Sequence, residues 1–308
     1  MKAVVMRGYG ADAFRVEDVA EPTVRRGEVR VRVMACGANA SDWEFATGRP
    51  FYGRLARMVM RVRVAGSDVA GVVDAVGEGV TGFSVGDRVV ADTFESFGGF
   101  AGFCVAKADR WVRLPDDMDF TTAAALPQSG AIAIEAFEGK LATGQRVLIN
   151  GGGGGAGPLA IQMAKRAGAE VWAVDNAAKQ VVMHAAGADH LIDYRKTDFA
   201  TLSTTFDSIL DLVATRPMRT VAGCLTPTGQ YRLVGGAAKF IIAGALPPKR
   251  TGLLMVPQGP DMTRRMVALV ASGDITPHIG ETAPLADAPA ALARMGAGEI
   301  AGKLVITP

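Results

Sequence analysis

Apolar residues in the first part of the chain come in short runs in which polar positions alternate. Between residues 2 and 115, Gly, Pro and Asp separate these runs, which read KAVVM, EVRVRVMAC, DVAGVVDAVG, DRVVA, GFCVAKA and WVRLP. Short alternating runs with turn residues between them are typical of β-strands. The pattern therefore predicts a mostly β first domain, folded as a compact antiparallel barrel or sandwich.

After residue 120 strand-like runs alternate with longer helical patterns. RVLIN precedes PLAIQMAKRAG, EVWAVD precedes AAKQVVMHAAG, and FDSILDLV precedes RPMRTVAGCL. This alternation predicts βαβ units and a parallel sheet covered on both faces. We therefore predict an α/β protein with a Rossmann-fold domain at 121–257. The tail, with the strands GLLMV and KLVITP around two helices, is expected to rejoin the first domain, which then comprises 1–120 and 258–308.

The run GGGGGAG at 151–157 lies between a strand, RVLIN, and a helix expected to begin at Pro158. A flexible linker would have polar flanks, whereas proline is favoured in the first turn of a helix. Gly152, Gly154 and Gly157 satisfy the G-x-G-x-x-G pattern of a dinucleotide-binding turn, in which the backbone approaches a pyrophosphate at a helix N-terminus. Gly155 and Ala156 belong to the same predicted contact surface.

Four residues beyond the turn bear on the choice of nucleotide. Asp175 ends the strand EVWAVD, where a carboxylate accepts from the ribose 2′-OH of NAD and repels the 2′-phosphate of NADP. Lys179, Tyr194 and Arg195 offer a cation and donors for that phosphate. NADP(H) is the favoured cofactor and NAD(H) the alternative. In a purely structural interpretation, Asp175 caps a helix and the two basic residues are solvated.

Overall composition narrows the class of protein. A net charge of +2, with Lys and Arg balanced by Asp and Glu, gives no reason to expect a nucleic-acid partner. No apolar run is long enough to cross a bilayer, and three widely spaced cysteines suit a reducing compartment. We expect a cytoplasmic protein that acts on a small molecule and has no membrane partner.

Several stretches taken together resemble one known family across nearly the whole chain. They are VRVMACGANASDW, GSDVAGVVDAVGEGVTGFSVGDRV, GGFAGFCV, AAALPQSGAIA, GQRVLINGGGGGAG and GADHLIDY. In this order they look like the zinc-independent quinone oxidoreductase branch of the medium-chain dehydrogenase/reductase superfamily. The resemblance implies a GroES-like catalytic domain, a Rossmann domain, a nicotinamide cofactor in the cleft between them, and reduction by NADPH of quinones or of C=C bonds conjugated to a carbonyl.

The resemblance also implies the catalytic candidates. Family members place the equivalent of Asn39 beside the nicotinamide, where its amide can donate to cofactor or substrate; alternatively, it only caps a turn. Asp42 is a candidate base or a helix cap. Tyr52 is a candidate proton donor or a pocket wall. Ser67 completes the predicted site.

Metal-dependent relatives carry zinc ligands at three places where this chain has other residues. The corresponding positions read Asn39, Ser67 with Asp68, and Ser129 or Gly130, and the cysteine-rich lobe that holds the structural zinc in those relatives is missing. An amide and a hydroxyl do not make a tetrahedral Zn²⁺ site. We therefore expect no zinc, and expect neutral donors to stabilise the oxyanion instead.

Three further expectations concern the cofactor, the assembly and a basic segment. Val213 and Gly235, which follow later strands, are expected to contact the cofactor. Family members commonly dimerise through the edge of the Rossmann sheet, and KFIIAGALPP at 239–248 is a candidate homodimer interface or, equally, a buried crossover. The segment RLARMVMRVR at 54–63 predicts an amphipathic helix whose arginines form a solvated face or cover the substrate cleft.

The sequence differs from the usual family pattern at two places, and it leaves two alternative functions possible. The glycine run has Gly152, Gly153 and Ala156 where relatives have Ala, Ser and Val, which adds backbone freedom. Gly102 replaces a frequent acidic residue. The rivals to a reductase are a non-redox enzyme, such as a cyclase, dehydratase or isomerase, and a non-catalytic nucleotide-binding protein.

Overall fold

The computed structural model describes residues 1–235, 250–257 and 259–308. They form two compact units, Met1–Gln128 with Gln258–Pro308, and Ser129–Pro257. The candidate interface at 239–248 lies outside the described residues.

The strands and helices follow one another along the chain with short connections. The strands are β1 Lys2–Met6, β2 Phe14–Asp18, β3 Glu28–Gly37, β4 Asp68–Val76, β5 Arg88–Asp92, β6 Phe103–Lys107, β7 Val112–Arg113, β8 Arg146–Asn150, β9 Glu170–Asp175, β10 His190–Asp193, β11 Phe206–Asp211, β12 Leu225–Leu233, β13 Thr251–Leu253, β14 Ile279–Pro284 and β15 Lys303–Thr307. The helices are α1 Ala40–Thr47, α2 Phe51–Met60, α3 Phe120–Ala124, α4 Pro127–Phe137, α5 Gly157–Arg166, α6 Gln180–Ala185, α7 Met218–Ala222, α8 Pro260–Ala271 and α9 Ala288–Gly296.

The first unit contains the β-rich part predicted from the alternating runs. Its larger sheet has the order β14-β15-β3-β4-β5-β7, with β6 also paired to β3, and β1 and β2 form a separate antiparallel pair. The strands between residues 2 and 115 pair antiparallel, as predicted, whereas β14 and β15 of the tail run parallel to each other. The reason is the helix α9 between them, since a helical crossover returns the chain in the same direction. The strand β2 was missed because its residues are mostly exposed.

The core of the first unit follows from strand alternation. In β3 the inward positions Val29, Val31 and Val33 are buried, and they alternate with arginines. Phe45, Phe94 and Phe97 add a cluster of aromatic rings, two of them stacked with centroids 5.1 Å apart. The tail joins this unit through β15, which pairs with β3, as predicted. Burial of these apolar side chains is the main stabilising contribution.

The second unit contains a six-stranded parallel sheet in the order β10-β9-β8-β11-β12-β13. Numbered from its first strand, this is the 3-2-1-4-5-6 order of the Rossmann fold, as the alternation of strands and helices predicted. The stretch GLLMV contributes β13, which pairs with β12 in this sheet, so the tail returns to the first unit only after it. Ligands in such sheets bind at the carboxyl ends of the strands where the order reverses, here between β8 and β11.

The helices are short throughout the part of the chain that is described. Within those residues, none is both long and apolar enough to cross a bilayer.

Candidate functional site

The glycine run makes the turn from β8 into α5. The backbone N–H groups of Gly151 and Gly152 both donate to the carbonyl of Val174 on β9, at 2.9 and 3.0 Å, which ties the turn to the neighbouring strand. The helix begins at Gly157, one residue before the predicted start, and Pro158 therefore occupies its second position. The N–H that proline lacks would have been unpaired there in any case.

Two glycines of the run are required by close packing. A Cβ on Gly157 would overlap the backbone of Gly152, and one on Gly153 would overlap the side chain of Lys179. A Cβ on Gly154 would have its nearest neighbour 3.6 Å away, so the space in front of this residue is open. Tight packing behind the turn and open backbone in front of it are what a bound pyrophosphate requires. The turn therefore fits a dinucleotide.

Asp175 is buried at the end of β9 and bonds to the turn. Its carboxylate accepts from the N–H of Gly153 at 3.1 Å and from that of Asn176 at 2.8 Å. The ammonium of Lys179 lies 3.6 Å from the same carboxylate and is only 6% exposed. The interpretation of Lys179 as a solvated surface residue is therefore wrong. The carboxylate has a structural role in the turn, and the adjacent ammonium offsets its negative charge.

Tyr194 and Arg195 lie just beyond the end of β10, next to β9 in the sheet. Both are exposed, and the guanidinium of Arg195 lies 5.8 Å from the Tyr194 ring centre. The backbone N–H of Tyr194 donates to the carbonyl of Asp175 at 3.1 Å, which places the start of this loop beside the acidic residue. A phenol, a guanidinium and the nearby Lys179 ammonium suit a phosphate better than a free ribose hydroxyl.

A buried network that was not predicted from the sequence lies at the reversal of strand order. Asp211 ends β11 and is fully buried; it accepts from the Asn150 amide at 2.7 Å and from the Tyr231 hydroxyl at 3.0 Å. Its carboxylate also accepts from the N–H groups of Val213 and Ala214. Burial, together with the carboxylate of Asp211, raises the pKa of Tyr231. Asp211 thus fixes the loop that follows β11.

The two remaining predicted cofactor residues lie in this region of the second unit. Val213 is exposed, and its side chain is one of the groups that a Cβ on Gly151 would contact, at 3.0 Å. Gly235 follows β12 and has a φ of 68°, a backbone conformation that favours glycine. Val213 therefore adjoins the glycine turn, whereas Gly235 is followed in the chain by residues outside the described part.

Asn39 and Asp42 lie at the start of α1 in the first unit. Asn39 is the N-cap, and its N–H donates to the Asp42 carboxylate at 2.9 Å. The other oxygen of Asp42 accepts from the N–H of Gly66 at 2.8 Å. Burial raises the pKa of Asp42 to about 7, although these two N–H groups favour its ionised form. The carboxylate therefore joins α1 to the loop before β4.

Ser67 lies in the same buried cluster as Asn39. Its hydroxyl accepts from the Gln128 amide at 2.8 Å and from the Asn39 amide at 3.5 Å. A serine oxygen accepts at most two hydrogen bonds and donates one. With both acceptor positions occupied by amide donors, the Ser67 hydroxyl keeps its own hydrogen for a third partner.

A buried ion pair adjoins these residues, and sequence reasoning missed its cation. The ammonium of Lys303 on β15 lies 3.0 Å from the carboxylate of Asp68 and donates to Oδ1 of Asn39 at 2.7 Å. Lys303 is 2% exposed and Asp68 fully buried. The N–H of Gln128 also donates to Asp68, at 3.3 Å to each oxygen. We name Asn39, Ser67, Asp68, Gln128 and Lys303 the polar cluster.

Another carboxylate on the adjacent strand lies close to the polar cluster. Asp92 on β5 is paired in register with Asp68 on β4. Burial and the nearby negative charge of Asp68 raise the pKa of Asp92 to about 7, and the N–H of Phe94 donates to it at 2.9 Å. The buried acids of this unit thus exceed the single cation, Lys303, that the described residues place among them. Protonation of some of them near neutral pH limits the excess negative charge.

The predicted proton donor, Tyr52, lies on α2 and donates to Glu44 on α1 at 3.3 Å. Burial and the adjacent carboxyl raise the pKa of Tyr52, and burial raises that of Glu44 to about 7. A raised pKa makes the phenol a weaker acid, and its hydrogen is directed at Glu44, so neither observation favours Tyr52 as the proton donor.

Helix α2 is amphipathic, and three of the four arginines at 54–63 are exposed, as expected for a solvated basic face, whereas Arg57 is half-buried. Arg57 donates to the backbone carbonyls of Met6, Gly8 and Phe45, and Arg54 stacks over the Tyr9 ring at 4.9 Å. The exposed side chains of the helix also include the apolar Phe51, Leu55, Met58 and Val59. Arg57 is therefore the arginine that attaches the helix to the unit.

At the positions where metal-dependent relatives carry zinc ligands, the side chains of this protein bond to one another or to neighbouring residues. Asn39, Ser67 and Asp68 contact one another or Lys303, and an ammonium beside an amide, a hydroxyl and a carboxylate opposes a second cation. Over 1–235, 250–257 and 259–308, no three His, Cys, Asp or Glu side chains are grouped so as to hold a metal ion. The donor set of the polar cluster does not fit tetrahedral zinc.

Comparison with known families matches both parts of the chain. Residues 25–116 match the model described as an alcohol dehydrogenase GroES-like domain, which confirms the predicted fold of the first unit. Residues 186–306 match the model described as a zinc-binding dehydrogenase. That description differs from the chemistry of the polar cluster, where lysine and neutral donors are present.

Individual relatives extend the likeness over the whole chain. The chain is 29% identical to the chloroplast envelope quinone oxidoreductase homolog of Arabidopsis thaliana, over all of this chain and 98% of that protein. It is 27% identical to the chloroplastic NADPH-dependent alkenal/one oxidoreductase of the same plant, over all of this chain and 80% of that protein. The solved quinone oxidoreductase of Coxiella burnetii is 26% identical and superposes with a TM-score of 0.90, covering 100% of this chain and 99% of that one.

Proposed function

Because the chain belongs to the quinone-oxidoreductase-like branch of the medium-chain dehydrogenase/reductase superfamily, we propose that it is an NADPH-dependent oxidoreductase. Its substrate is a quinone, or a compound with a C=C bond conjugated to a carbonyl. The observation that carries the proposal is the glycine turn at the carboxyl end of β8, in a sheet with the 3-2-1-4-5-6 strand order. Named relatives act on both substrate classes.

The cofactor residues are those of the turn and the two strands beside it. The N-terminus of α5 would face the pyrophosphate, and Gly152 and Gly154 would let the backbone approach it closely. The N–H groups of Gly152 and Gly154 themselves donate to the carbonyls of Val174 and Gly151 and so hold the shape of the turn. Lys179 and Tyr194, with Arg195, contact the 2′-phosphate of NADPH. The Asp175 carboxylate supports this choice because it accepts from the turn and from Asn176 and lies beside an ammonium. An unengaged carboxylate at this position would favour NAD.

The bound cofactor supplies a hydride from C4 of its nicotinamide ring. As the acceptor carbon of an enone or quinone gains the hydride, negative charge develops on the conjugated oxygen, and the protein must stabilise it. The Asn39 amide and the Ser67 hydroxyl are the neutral donors of the polar cluster that we assign to this oxygen; without substrate, the Asn39 amide donates to Ser67 and to Asp68. One well-placed donor of this kind contributes about 3 kcal/mol in other enzymes. Tyr52 then delivers the proton to an enolate, whereas water protonates a hydroquinone.

No zinc takes part in the proposed reaction. The donor chemistry of Asn39 and Ser67 supports this, as does the Lys303 ammonium beside them.

The proposed assembly follows by the same family argument, and the proposed location rests on the free cysteines. We assign the protein to the cytoplasm as a homodimer that pairs through the edge of its parallel sheet. In the described residues β13 forms that edge and pairs only with β12, which supports the dimer. Cys36, Cys104 and Cys224 are buried free thiols, which supports a reducing compartment.

The test is a fluorescence titration with NADPH and with NADH, followed by turnover. We expect NADPH to bind at least tenfold more tightly, a difference of about 1.4 kcal/mol. Lys179→Met should remove most of that preference, and Lys107→Met, at an exposed position of the first unit, is the matched control. NADPH oxidation by a panel of quinones and enones then identifies the substrate class.

Three other outcomes would redirect the proposal. Tighter NADH binding reverses the cofactor preference and leaves the reductase in place. Conversion of substrate without consumption of NADPH or NADH would show a non-redox enzyme. Binding of neither nucleotide overturns the oxidoreductase.

A further inference from the structure

We propose that Lys303 is a positioning residue that sets the orientation of the Asn39 carboxamide. The inference rests on the proposed function, in which Asn39 donates to the reacting oxygen or to the nicotinamide. Sequence reasoning did not point to Lys303, which lies 264 positions away from Asn39 in the chain.

The chemistry of the ammonium determines which end of the amide it meets. A lysine ammonium has three donors and no acceptor, so it can bond only to the oxygen of a carboxamide. The Nζ of Lys303 lies 2.7 Å from Oδ1 of Asn39, in a site where Lys303 is 2% exposed. The opposite orientation of the amide would direct two N–H groups at a buried cation.

The fixed oxygen places the donor end of the amide. With Oδ1 on Lys303, the Nδ2 group of Asn39 is directed to the Ser67 side, 3.5 Å from its hydroxyl oxygen. That oxygen already accepts a shorter bond of 2.8 Å from Gln128. An amide group has two N–H donors, and at most one of those of Asn39 is used in the weak contact with Ser67. The Asn39 amide also donates to the Asp68 carboxylate, which is consistent with Oδ1 on Lys303 and Nδ2 on the opposite side.

The fold provides a dedicated path for the Lys303 side chain. A Cβ on Gly37, the last residue of β3, would approach Cε of Lys303 to 2.8 Å and would also overlap the carbonyl oxygen of Ala124. Glycine at this position therefore lets the aliphatic part of Lys303 pass beneath the strand. At the far end Asp68 lies 3.0 Å from the ammonium and balances its charge.

Asp68 favours the same orientation from the other end of the amide. A hydrogen bond from the Asn39 amide favours the ionised form of Asp68, while the Lys303 ammonium donates to Oδ1 of Asn39. The carboxylate attracts the N–H end and the ammonium holds the oxygen, so loss of Lys303 would leave that buried oxygen without its charged donor.

The test is a double-mutant cycle on turnover, with Lys303→Met, Asn39→Ala and the double variant. We expect Lys303→Met to lower kcat at least tenfold and to change the Kd for NADPH less than twofold. In the Asn39→Ala background the same change should cost less than threefold in kcat, because the amide it orients is gone. Lys303→Arg should recover kcat to within fivefold of wild type, and Lys107→Met is the exposed control.

Two results would overturn the proposal. One is an unchanged kcat in Lys303→Met. The other is a tenfold loss in both backgrounds, which would show that Lys303 acts independently of Asn39. If Lys303→Met does not fold, Lys303→Gln, which keeps an N–H donor without the charge, takes its place in the cycle with the same criteria.

A second readout separates this proposal from the proposed function. In ¹⁵N NMR spectra the carboxamide signals of Asn39 are identified by their loss in Asn39→Ala. Lys303→Met should shift or double these signals even if wild type turns over no quinone or enone. Unchanged signals overturn the positioning role, whereas absent turnover in wild type with shifted signals overturns only the reductase.

Discussion

The two candidate sites of this protein are built from different parts of the chain. The cofactor turn in the second unit consists of backbone: glycine N–H groups, the N-terminus of α5 and a strand end, all within a few residues of one another. The polar cluster in the first unit consists of side chains from four separate elements or loops, with charges removed from water. A backbone site depends on the absence of side chains, whereas a side-chain site depends on mutual compensation of charge.

The largest effect is expected where the backbone site is closed by a side chain. Gly157→Val places a branched side chain against the backbone of Gly152, and the turn must open to accept it. We expect the affinity for NADPH to fall more than 100-fold, about 2.7 kcal/mol, measured by fluorescence titration.

Gly154→Ala is the comparison for that variant. Its added methyl group meets nothing closer than 3.6 Å in the protein, so the thermal midpoint should stay unchanged. NADPH affinity should still decrease, because the methyl group lies on the open side of the turn. If Gly157→Val bound NADPH like wild type, the cofactor would lie elsewhere.

The next largest effect concerns the second unit, which also contains a buried carboxylate, Asp211. Tyr231→Phe removes the hydroxyl that donates to Asp211 at 3.0 Å. Loss of a buried hydrogen bond to a carboxylate should lower the free energy of unfolding by about 2 kcal/mol, measured by urea denaturation. Tyr194→Phe, at an exposed position, is the matched control and should change stability by less than about 0.5 kcal/mol.

The third prediction concerns the pH dependence of stability, which should differ between the two units. Acids with a pKa raised to about 7 belong to the first unit: Asp42, Glu44 and Asp92. Such groups bind more protons when folded than when unfolded, so the stabilisation is complete below their unfolded pKa. It is lost as pH rises through the folded pKa near 7. The first unit should therefore become less stable between pH 4 and 8.

Glu44→Gln tests this dependence because its amide oxygen can still accept from Tyr52. It should reduce the loss of stability over this range by about 1 kcal/mol. A Trp172→Phe background leaves only Trp43 and Trp111, both in the first unit, as fluorescent reporters of unfolding. Glu299→Gln, at an exposed position, is the control. An unchanged slope in Glu44→Gln would show that this carboxyl is ionised in the folded protein.

The smallest effect is expected for an ion pair that is exposed to solvent. Lys2 and Asp18 form an ion pair at 2.6 Å, with side chains that are 63% and 75% exposed. Exposed pairs contribute little, so Lys2→Met should change the free energy of unfolding by less than about 0.5 kcal/mol, measured by urea denaturation. A larger loss in the free energy of unfolding would show that exposed ion pairs stabilise the first unit more than we expect.

The same contrast explains what could be predicted from the sequence. The glycine turn, the parallel sheet and Asp175 were readable because their signals are local: a strand, a glycine pattern and a helix follow within about 25 residues. Lys303 and Gln128 gave no local signal, since a lysine in a strand or a glutamine at a helix start is ordinary. Only the pairing of β15 with β3 brings Lys303 to Asn39 and Asp68.

Within the α2 segment, Arg57 was misread for a related reason. Its spacing predicted an amphipathic helix, and the structure contains one. Solvated arginines were expected throughout, and Arg54, Arg61 and Arg63 are exposed. Arg57 departs from this expectation because three backbone carbonyls, at Met6, Gly8 and Phe45, accept from its guanidinium, and spacing alone does not show such acceptors.

The position of Lys303 has a consequence for how the protein is made. Translation proceeds from the N-terminus, so Asp68 leaves the ribosome 235 residues before the lysine that pairs with it. The second unit is one continuous stretch of chain and can fold during synthesis once β13 has emerged. The first unit cannot pair Asp68 with Lys303 until β15 has emerged, so we expect it to complete its fold last.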